Sequence, residues 1–128
     1  MIRTLSCHCG AIKLEVNAKL EGLRQCNCST CARWGLYLWT VPTKSVRLAT
    51  PSTGMGTYYW RFANEGYHWC QNCGTPMYRT WPHEFITLNA RCIDGIDIFD
   101  LEVEIFDGKT KVPGGHVPPL PESFVEEE

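Results

Sequence analysis

The chemistry in this sequence is concentrated in its cysteines. Seven of the eight fall into three tight groups, Cys7-His8-Cys9, Cys26-Asn27-Cys28-Ser29-Thr30-Cys31 and Cys70-Gln71-Asn72-Cys73, and Cys92 stands apart. Thiols two or three residues apart favour chelation of a metal over bridging, and zinc is the ion whose protein sites use such spacings. Cys9 and Cys73 are each followed by a glycine, Gly10 and Gly74, whose access to positive φ lets the backbone curl until neighbouring thiolates face one ion. That shared signature pairs the outer groups into one closed, structural four-thiolate zinc site of Cys7, Cys9, Cys70 and Cys73. A redox-active Cys70/Cys73 pair and four unrelated buried thiols are the competing readings. His8 reads as a spacer whose ring points away from its neighbours in an extended segment, with coordination as the alternative.

The middle group differs in kind. Cys26, Cys28 and Cys31 place three thiols within six residues and no fourth nearby. One coordination position then stays open for water or substrate, as in catalytic zinc. Ser29 is placed to cap a short helical turn through Thr30, Cys31 and Ala32, which brings Cys28 and Cys31 to the same side. A second structural site completed by the distant Cys92 or His68 is the other reading. Arg24 and Arg33 flank the group and suit a carboxylate-bearing thiol such as glutathione, or remain solvated as surface arginines do. Trp34, Tyr37, Trp39, Tyr58, Tyr59 and Trp60 offer either pocket walls or sheet packing.

The elements that must position these groups read as mainly β. Strand-like composition covers Ala11 to Val16, Leu36 to Val41, Thr57 to Phe62, Tyr67 to Cys70, Phe85 to Ala90 and Leu101 to Phe106. Turn signals fall at Thr53 to Gly56, Asn64 to Gly66, Asp94-Gly95 and Asp107-Gly108, and no amphipathic helix of even ten residues is visible. A length of 128 residues with 44% hydrophobic content predicts one core, so residues 1–112 form a zinc-binding β domain of short antiparallel strands. Residues 113–128, Pro-rich and ending in Glu126-Glu127-Glu128, form an extended tail. No apolar run approaches a membrane span, and Cys7 arrives before a signal-peptide apolar region can form, which implies a cytoplasmic chain with reduced thiols. The formal charge of −2 becomes more negative as thiolates form and no Lys/Arg cluster offsets it, which argues against nucleic acid as a partner.

The motifs Ser6-Cys7-His8-Cys9-Gly10-Ala11-Ile12, Cys26-Asn27-Cys28-Ser29-Thr30-Cys31, Tyr67-His68-Trp69-Cys70-Gln71-Asn72-Cys73-Gly74-Thr75-Pro76-Met77 and Leu88-Asn89-Ala90-Arg91-Cys92-Ile93-Asp94 resemble, in order and spacing, those of the glutathione-dependent formaldehyde-activating enzyme family, which includes centromere-protein-V-like proteins. The resemblance runs from about Ser6 to Asp107 and departs at Asn27, where histidine is common. It implies a zinc-stapled β-tent fold, a structural zinc on Cys7, Cys9, Cys70 and Cys73, and a catalytic, labile zinc on Cys26, Cys28 and Cys31. The implied activity is that of a carbon-sulfur lyase on a glutathione-aldehyde adduct, as in S-(hydroxymethyl)glutathione synthase, with glutathione as co-substrate and a small thiol/aldehyde compound as partner.

A three-thiolate zinc already carries a charge of roughly −1, which favours taking a substrate thiol as fourth ligand over polarising a carbonyl. Two further classes of function stand beside the enzyme. One is a non-catalytic, zinc-stabilised interaction module. The other is a thiol redox protein using Cys92, because Arg91-Cys92-Ile93-Asp94 is faintly similar to the catalytic strand of zinc-bearing methionine-sulfoxide reductases; a half-buried Cys92 acting as a small hydrophobe is its plain counterpart.

Overall fold

The computed structural model of the chain describes residues 1–59 and 66–111. Ten short strands follow in order: β1 (Arg3–Ser6), β2 (Lys13–Val16), β3 (Arg24–Cys26), β4 (Leu38–Pro42), β5 (Val46–Leu48), β6 (Met55–Tyr59), β7 (Gly66–Cys70), β8 (Pro76–Thr80), β9 (Phe85–Asn89) and β10 (Glu104–Phe106). Between β3 and β4 lies the six-residue helix α1 (Ser29–Trp34). Among the described residues no helix is long and apolar enough to cross a membrane.

The strands form two sheets. The smaller has the order β1-β2-β5, and the larger the order β10-β3-β4-β9-β8-β7-β6. Pairing is antiparallel throughout except between β10 and β3, which run parallel with Glu104 opposite Arg24 and Phe106 opposite Cys26. The expected fold of short antiparallel strands is found, with that one parallel edge as the exception. A parallel pair needs a long crossover, and here nearly the whole large sheet lies between β3 and β10.

Alternation along the central strands separates two faces of the large sheet. Trp39 and Val41 on β4 stand opposite Leu88 and Ile86 on β9, and all four are buried with Leu5, Ile12, Leu14 and Val16 of the small sheet and its turn. This is the main core. The opposite face carries Leu38, Thr40, Thr87 and Arg79 in adjacent strands, with Thr40 across from Thr87 and Arg79 across from Thr87 on the other side. The Thr40 and Thr87 hydroxyls are 2.9 Å apart, and the Trp81 Nε1–H donates to Thr87 Oγ1 at 2.9 Å.

The predicted strands appear as β2, β4, β6, β7, β9 and β10, of which β2, β4, β9 and β10 are shortened, β7 gains Gly66 and β6 begins earlier, at Met55. Four strands escaped the sequence pattern: β1, β3, β5 and β8. Two of them are only three residues long, and β8 opens with Pro76, where the missing N–H is tolerated at a strand's first residue. Trp60, the end of the expected Thr57 to Phe62 strand, the start of the Asn64 to Gly66 turn and the expected tail from Pro113 lie outside the described residues.

The β6–β7 pairing brings Gly56 directly opposite Trp69, and a Cβ built on Gly56 would overlap the edge atoms Cε2, Cζ2 and Nε1 of the indole. Gly56→Ala therefore forces Trp69 or the strand aside. The expected cost is about 1–3 kcal/mol, read as a lowered midpoint in denaturant with an unchanged slope.

Candidate metal centres

The first centre is built at the ends of two hairpins. The turn from β1 to β2 closes with the Cys7 N–H on the Ile12 carbonyl at 3.0 Å and the Gly10 N–H on the Cys7 carbonyl at 3.1 Å. The turn from β7 to β8 uses the same scheme: the Cys70 N–H meets the Thr75 carbonyl at 3.0 Å and the Gly74 N–H meets the Cys70 carbonyl at 2.8 Å. Gly10 and Gly74 have φ of 81° and 79°, the left-handed region the sequence reading required of them. The two turns meet where the His8 N–H donates to Thr75 Oγ1 at 3.2 Å. His8 is itself exposed and stays outside the thiol group, as a spacer does.

This meeting gathers Cys7, Cys9, Cys70 and Cys73, with all four sulfurs within 4.8 Å of one another. Cys7 Sγ to Cys9 Sγ is 3.6 Å and Cys9 Sγ to Cys70 Sγ is 3.7 Å. A tetrahedral zinc with Zn–S bonds of about 2.3 Å requires S···S edges of about 3.8 Å, so the donor set fits the ion in type and in size. The chain also supplies hydrogen bonds that stabilise sulfur as thiolate. The Ile12 N–H donates to Cys7 Sγ at 3.2 Å, and Thr75 Oγ1 lies 3.1 Å from Cys73 Sγ. The Thr75 hydroxyl is the leading cause of a Cys73 thiol brought down to about 5.

The second centre lies on the other face of the large sheet. Cys26 ends β3, Cys28 precedes α1 and Cys31 sits in its first turn; all three are buried and their sulfurs lie within 4.8 Å of one another. The capping expectation is corrected here. Cys28, not Ser29, is the N-cap, and its sulfur accepts the Cys31 N–H at 3.4 Å while Ser29 becomes the first helical residue. A sulfur in the cap position takes over the orphan donor of the first turn and gains from it as an anion. The Cys28 N–H likewise donates to Cys26 Sγ at 3.4 Å.

The three thiols do not ionise independently. Cys28 is brought down to about 5, first by the hydrogen bond from the Cys31 thiol, against a burial effect of opposite sign. Cys31 is pushed far up by that same bond and by burial, and Cys26 is raised mainly by burial. Three thiolates in one buried site repel each other, and only a cation among them lets all three protons leave.

No fourth His, Cys, Asp or Glu joins this triad among the described residues. The reading in which Cys92 or His68 completes it is therefore corrected. His68 stacks on Tyr78 at 4.5 Å, its ring nitrogens lying 3.0 Å from Thr57 Oγ1 and 3.1 Å from Thr80 Oγ1. Cys92 packs beside the main core and its thiol donates to the Pro76 carbonyl at 3.6 Å. Burial first, then neighbouring negative charge, pushes Cys92 up to about 11, the setting of a small packed residue.

In place of a fourth ligand the triad has a cavity of about 610 Å³. Its lining includes the three cysteines, Arg24, Leu38, Thr40, Arg79, Trp81, Thr87 and Phe106. Of the two arginines flagged by sequence, Arg24 is there and Arg33 is not; the Arg33 guanidinium donates to the Ser29 carbonyl at 2.7 Å. Arg33 belongs to a separate, more open groove with Trp34, Tyr58 and Trp69. None of the described aromatics proposed from sequence lines the triad cavity. Trp39 is core, Tyr37 lies under Arg91 with the guanidinium carbon 4.7 Å from the ring centre, and Tyr59 is exposed. Trp81, Phe106 and Arg79, which do line it, were missed, because they sit far from the cysteines in sequence and reach them only through strand pairing.

A family model described as glutathione-dependent formaldehyde-activating enzyme matches residues 2–109. The chain belongs to this family. Among solved structures, the crystal structure of a Rhodobacter sphaeroides protein superposes with a TM-score of 0.73 at 27% identity, over 80% of this chain and 99% of that one. In this member of the glutathione-dependent formaldehyde-activating enzyme family, Asn27 has a visible role. Its amide donates to Asp107 Oδ1 at 3.0 Å and its carbonyl accepts the Lys109 N–H at 2.9 Å, pinning the turn at Gly108–Lys111 over the triad.

Two predictions follow from the geometry of the centres. Cys9→Ser or Cys73→Ser should give insoluble or unfolded protein, whereas Cys28→Ser should fold and keep about one zinc per chain, against between one and about two in the parent by metal analysis. Loss of fold in all three, or in none, would contradict the division into a closed and an open centre. Second, a Cβ on buried Gly108 would overlap Cys26 Sγ, so Gly108→Ala should lower zinc occupancy at the triad by about tenfold or more at a fixed chelator concentration while the four-thiol centre stays filled.

Proposed function

We propose that this chain is a zinc-dependent carbon-sulfur lyase acting on the adduct of glutathione, or a similar thiol, with an aldehyde. Cys7, Cys9, Cys70 and Cys73 hold a structural zinc, and Cys26, Cys28 and Cys31 hold a catalytic one that exchanges more readily. The observation that carries this reading is a three-thiol group, buried yet lacking a fourth protein ligand among the described residues, that opens on a cavity large enough for a small-molecule substrate. Family membership supplies the chemistry to which such a site is suited. When bound to the triad, zinc supplies a position at which a substrate sulfur is held as thiolate near neutral pH.

The chain's own residues do the rest. The N–H groups of Cys28 and Cys31 donate to the sulfurs of Cys26 and Cys28 and fix the triad before substrate arrives. Leu38, Trp81 and Phe106 wall off water, and the cavity confines thiol and aldehyde together. In the condensation direction one carbon-sulfur bond forms, and the proton lost by the thiol ends on the former carbonyl oxygen, with no electron transferred. The described lining residues include no carboxylate or imidazole, which suits a reaction driven by thiol ionisation and proximity more than by a dedicated acid-base pair. A cytoplasmic setting, where reduced glutathione is abundant, goes with this reading.

Metal-replete protein should accelerate the equilibration of glutathione with formaldehyde or a larger aldehyde. The condensation also proceeds unaided, so the reference is an equal concentration of Cys28→Ser protein, which should fall to the uncatalysed rate. Cys92→Ser should retain full activity, because its thiol stays protonated at neutral pH. Equal rates for parent and Cys28→Ser across an aldehyde panel would leave a non-catalytic zinc module, and turnover lost in Cys92→Ser would point to thiol redox chemistry instead.

A further inference from the structure

The triad cavity is lined by a chain of hydroxyls as well as by thiols. Thr40 on β4 and Thr87 on β9 stand opposite each other in the ladder and share the cavity with Cys26, Cys28 and Cys31. Their Oγ1 atoms are 2.9 Å apart, a bond in which either oxygen could be the donor. The neighbours decide which one is. The Trp81 Nε1–H, which can only donate, meets Thr87 Oγ1 at 2.9 Å. Thr87 is 3% exposed, so its own hydroxyl proton needs an acceptor inside the protein, and among the described residues the acceptor it meets is Thr40 Oγ1.

The order is then fixed: Trp81 gives to Thr87, and Thr87 gives to Thr40. Thr40 is exposed and lines the cavity, and with its oxygen already accepting, its own O–H is left to donate to what the cavity holds. Donors linked in series polarise one another, so the last in line donates more strongly than an isolated hydroxyl.

We propose that Thr40 is a catalytic residue of this cavity. Its hydroxyl donates to the aldehyde-derived oxygen of the adduct while the adduct's sulfur is at the triad, and Thr87 and Trp81 are positioning residues behind it. The part in turnover rests on the lyase reading above; the donor turned to the cavity does not. In the condensation the thiolate lone pair forms the carbon-sulfur bond and the carbonyl π pair moves onto oxygen, which becomes negative. Thr40 meets that charge with its O–H and keeps its proton. Water protonates the oxygen and takes up the proton the thiol released, so no electron is gained or lost overall, and cleavage runs the same steps backward. A donor aimed at charge that develops during the reaction lowers the barrier more than it tightens binding.

The test reads binding and turnover separately. S-acetylglutathione carries an oxygen on the carbon bound to sulfur, where the adduct has its own, and S-isopropylglutathione has a methyl group in that place. By calorimetry on the full, metal-replete chain, the acetyl compound should bind about fivefold more tightly than the isopropyl compound. Thr40→Val should bind the two alike, Thr40→Ser should keep the preference, and Thr87→Val should lower it. Because Thr40 is exposed and valine suits a strand, Thr40→Val should fold. In turnover of glutathione with an aldehyde, Thr40→Val should lower kcat by about tenfold or more with KM changed less than about twofold, and Thr40→Ser should stay near the parent. Equal affinity of the parent for both probes, no measurable binding of either, or a preference that survives in Thr40→Val would overturn the assignment, and a preference undiminished in Thr87→Val would overturn the relay behind it. A threonine pair that serves only the sheet would shift the denaturation midpoint in Thr40→Val and leave the affinity ratio and kcat unmoved. A Thr40-dependent preference for the oxygen without turnover of any thiol-aldehyde adduct would sink the lyase reading alone. Turnover undiminished in Thr40→Val would sink the Thr40 assignment alone.

Discussion

Everything else in this fold depends on two hairpin ends being held together by sulfur. Cys7 and Cys9 belong to a turn of the small sheet, Cys70 and Cys73 to a turn of the large one, and the Cys9–Cys70 contact closes 61 residues of chain. Cross-linking at that separation is worth about 4 kcal/mol through the unfolded chain alone. A zinc ion held there would add its own binding free energy, about 10–16 kcal/mol in small zinc-folded peptides, against a typical total stability of about 5–15 kcal/mol. A joint of that strength would relieve the sheets of having to hold themselves together. Strands of three to five residues, too short to be stable as isolated hairpins, are then sufficient.

Stapling the sheets at one edge also explains why the second centre can be open. The main core, around Trp39, Leu88 and Ile12, fills the space between the sheets and occupies one face of β4 and β9. Among the described residues the other face of those strands is covered only in part, by α1, the Gly108–Lys111 turn and Phe106. The uncovered part is the cavity. A triad with little fold-holding duty would not need complete coordination, and a vacant position there would cost the protein little stability.

The grouping of the cysteines was legible in the sequence because it is local. Spacing alone singles out three cysteine groups, and the glycines after Cys9 and Cys73 report the backbone conformation that turns two thiols onto one point. Six of the ten strands were legible for the same reason, as short runs of β-branched and aromatic residues. The cavity was not. Arg79, Trp81, Thr87 and Phe106 carry no signal near the cysteines, and they share a cavity with Cys28 only because β10, β3, β4, β9 and β8 are adjacent in the sheet. The aromatic run Leu36 to Val41 marked the strand but not its faces: Trp39 turns into the core, and Leu38 and Thr40 turn to the cavity. A two-residue period cannot be assigned to a face until its partner strand is known.

The two centres show how one ligand type serves opposite ends. At the four-thiol site the negative charge of the sulfurs is distributed among backbone N–H groups and the Thr75 hydroxyl at a partly exposed ridge, and Cys9 stands in contact with water. At the triad all three sulfurs are buried, their hydrogen bonds come largely from one another's backbone, and their charge is felt by anything entering the cavity. A neutral thiol entering such a site must lose its proton into an already negative environment. Positive charge in the wall would offset part of that cost, and the strand ladder places Arg79 there: Thr87 stands between Thr40 on one side and Arg79 on the other. The sheet that carries Cys70 and Cys73 at one hairpin end is thereby also the element that sets the electrostatics around the triad.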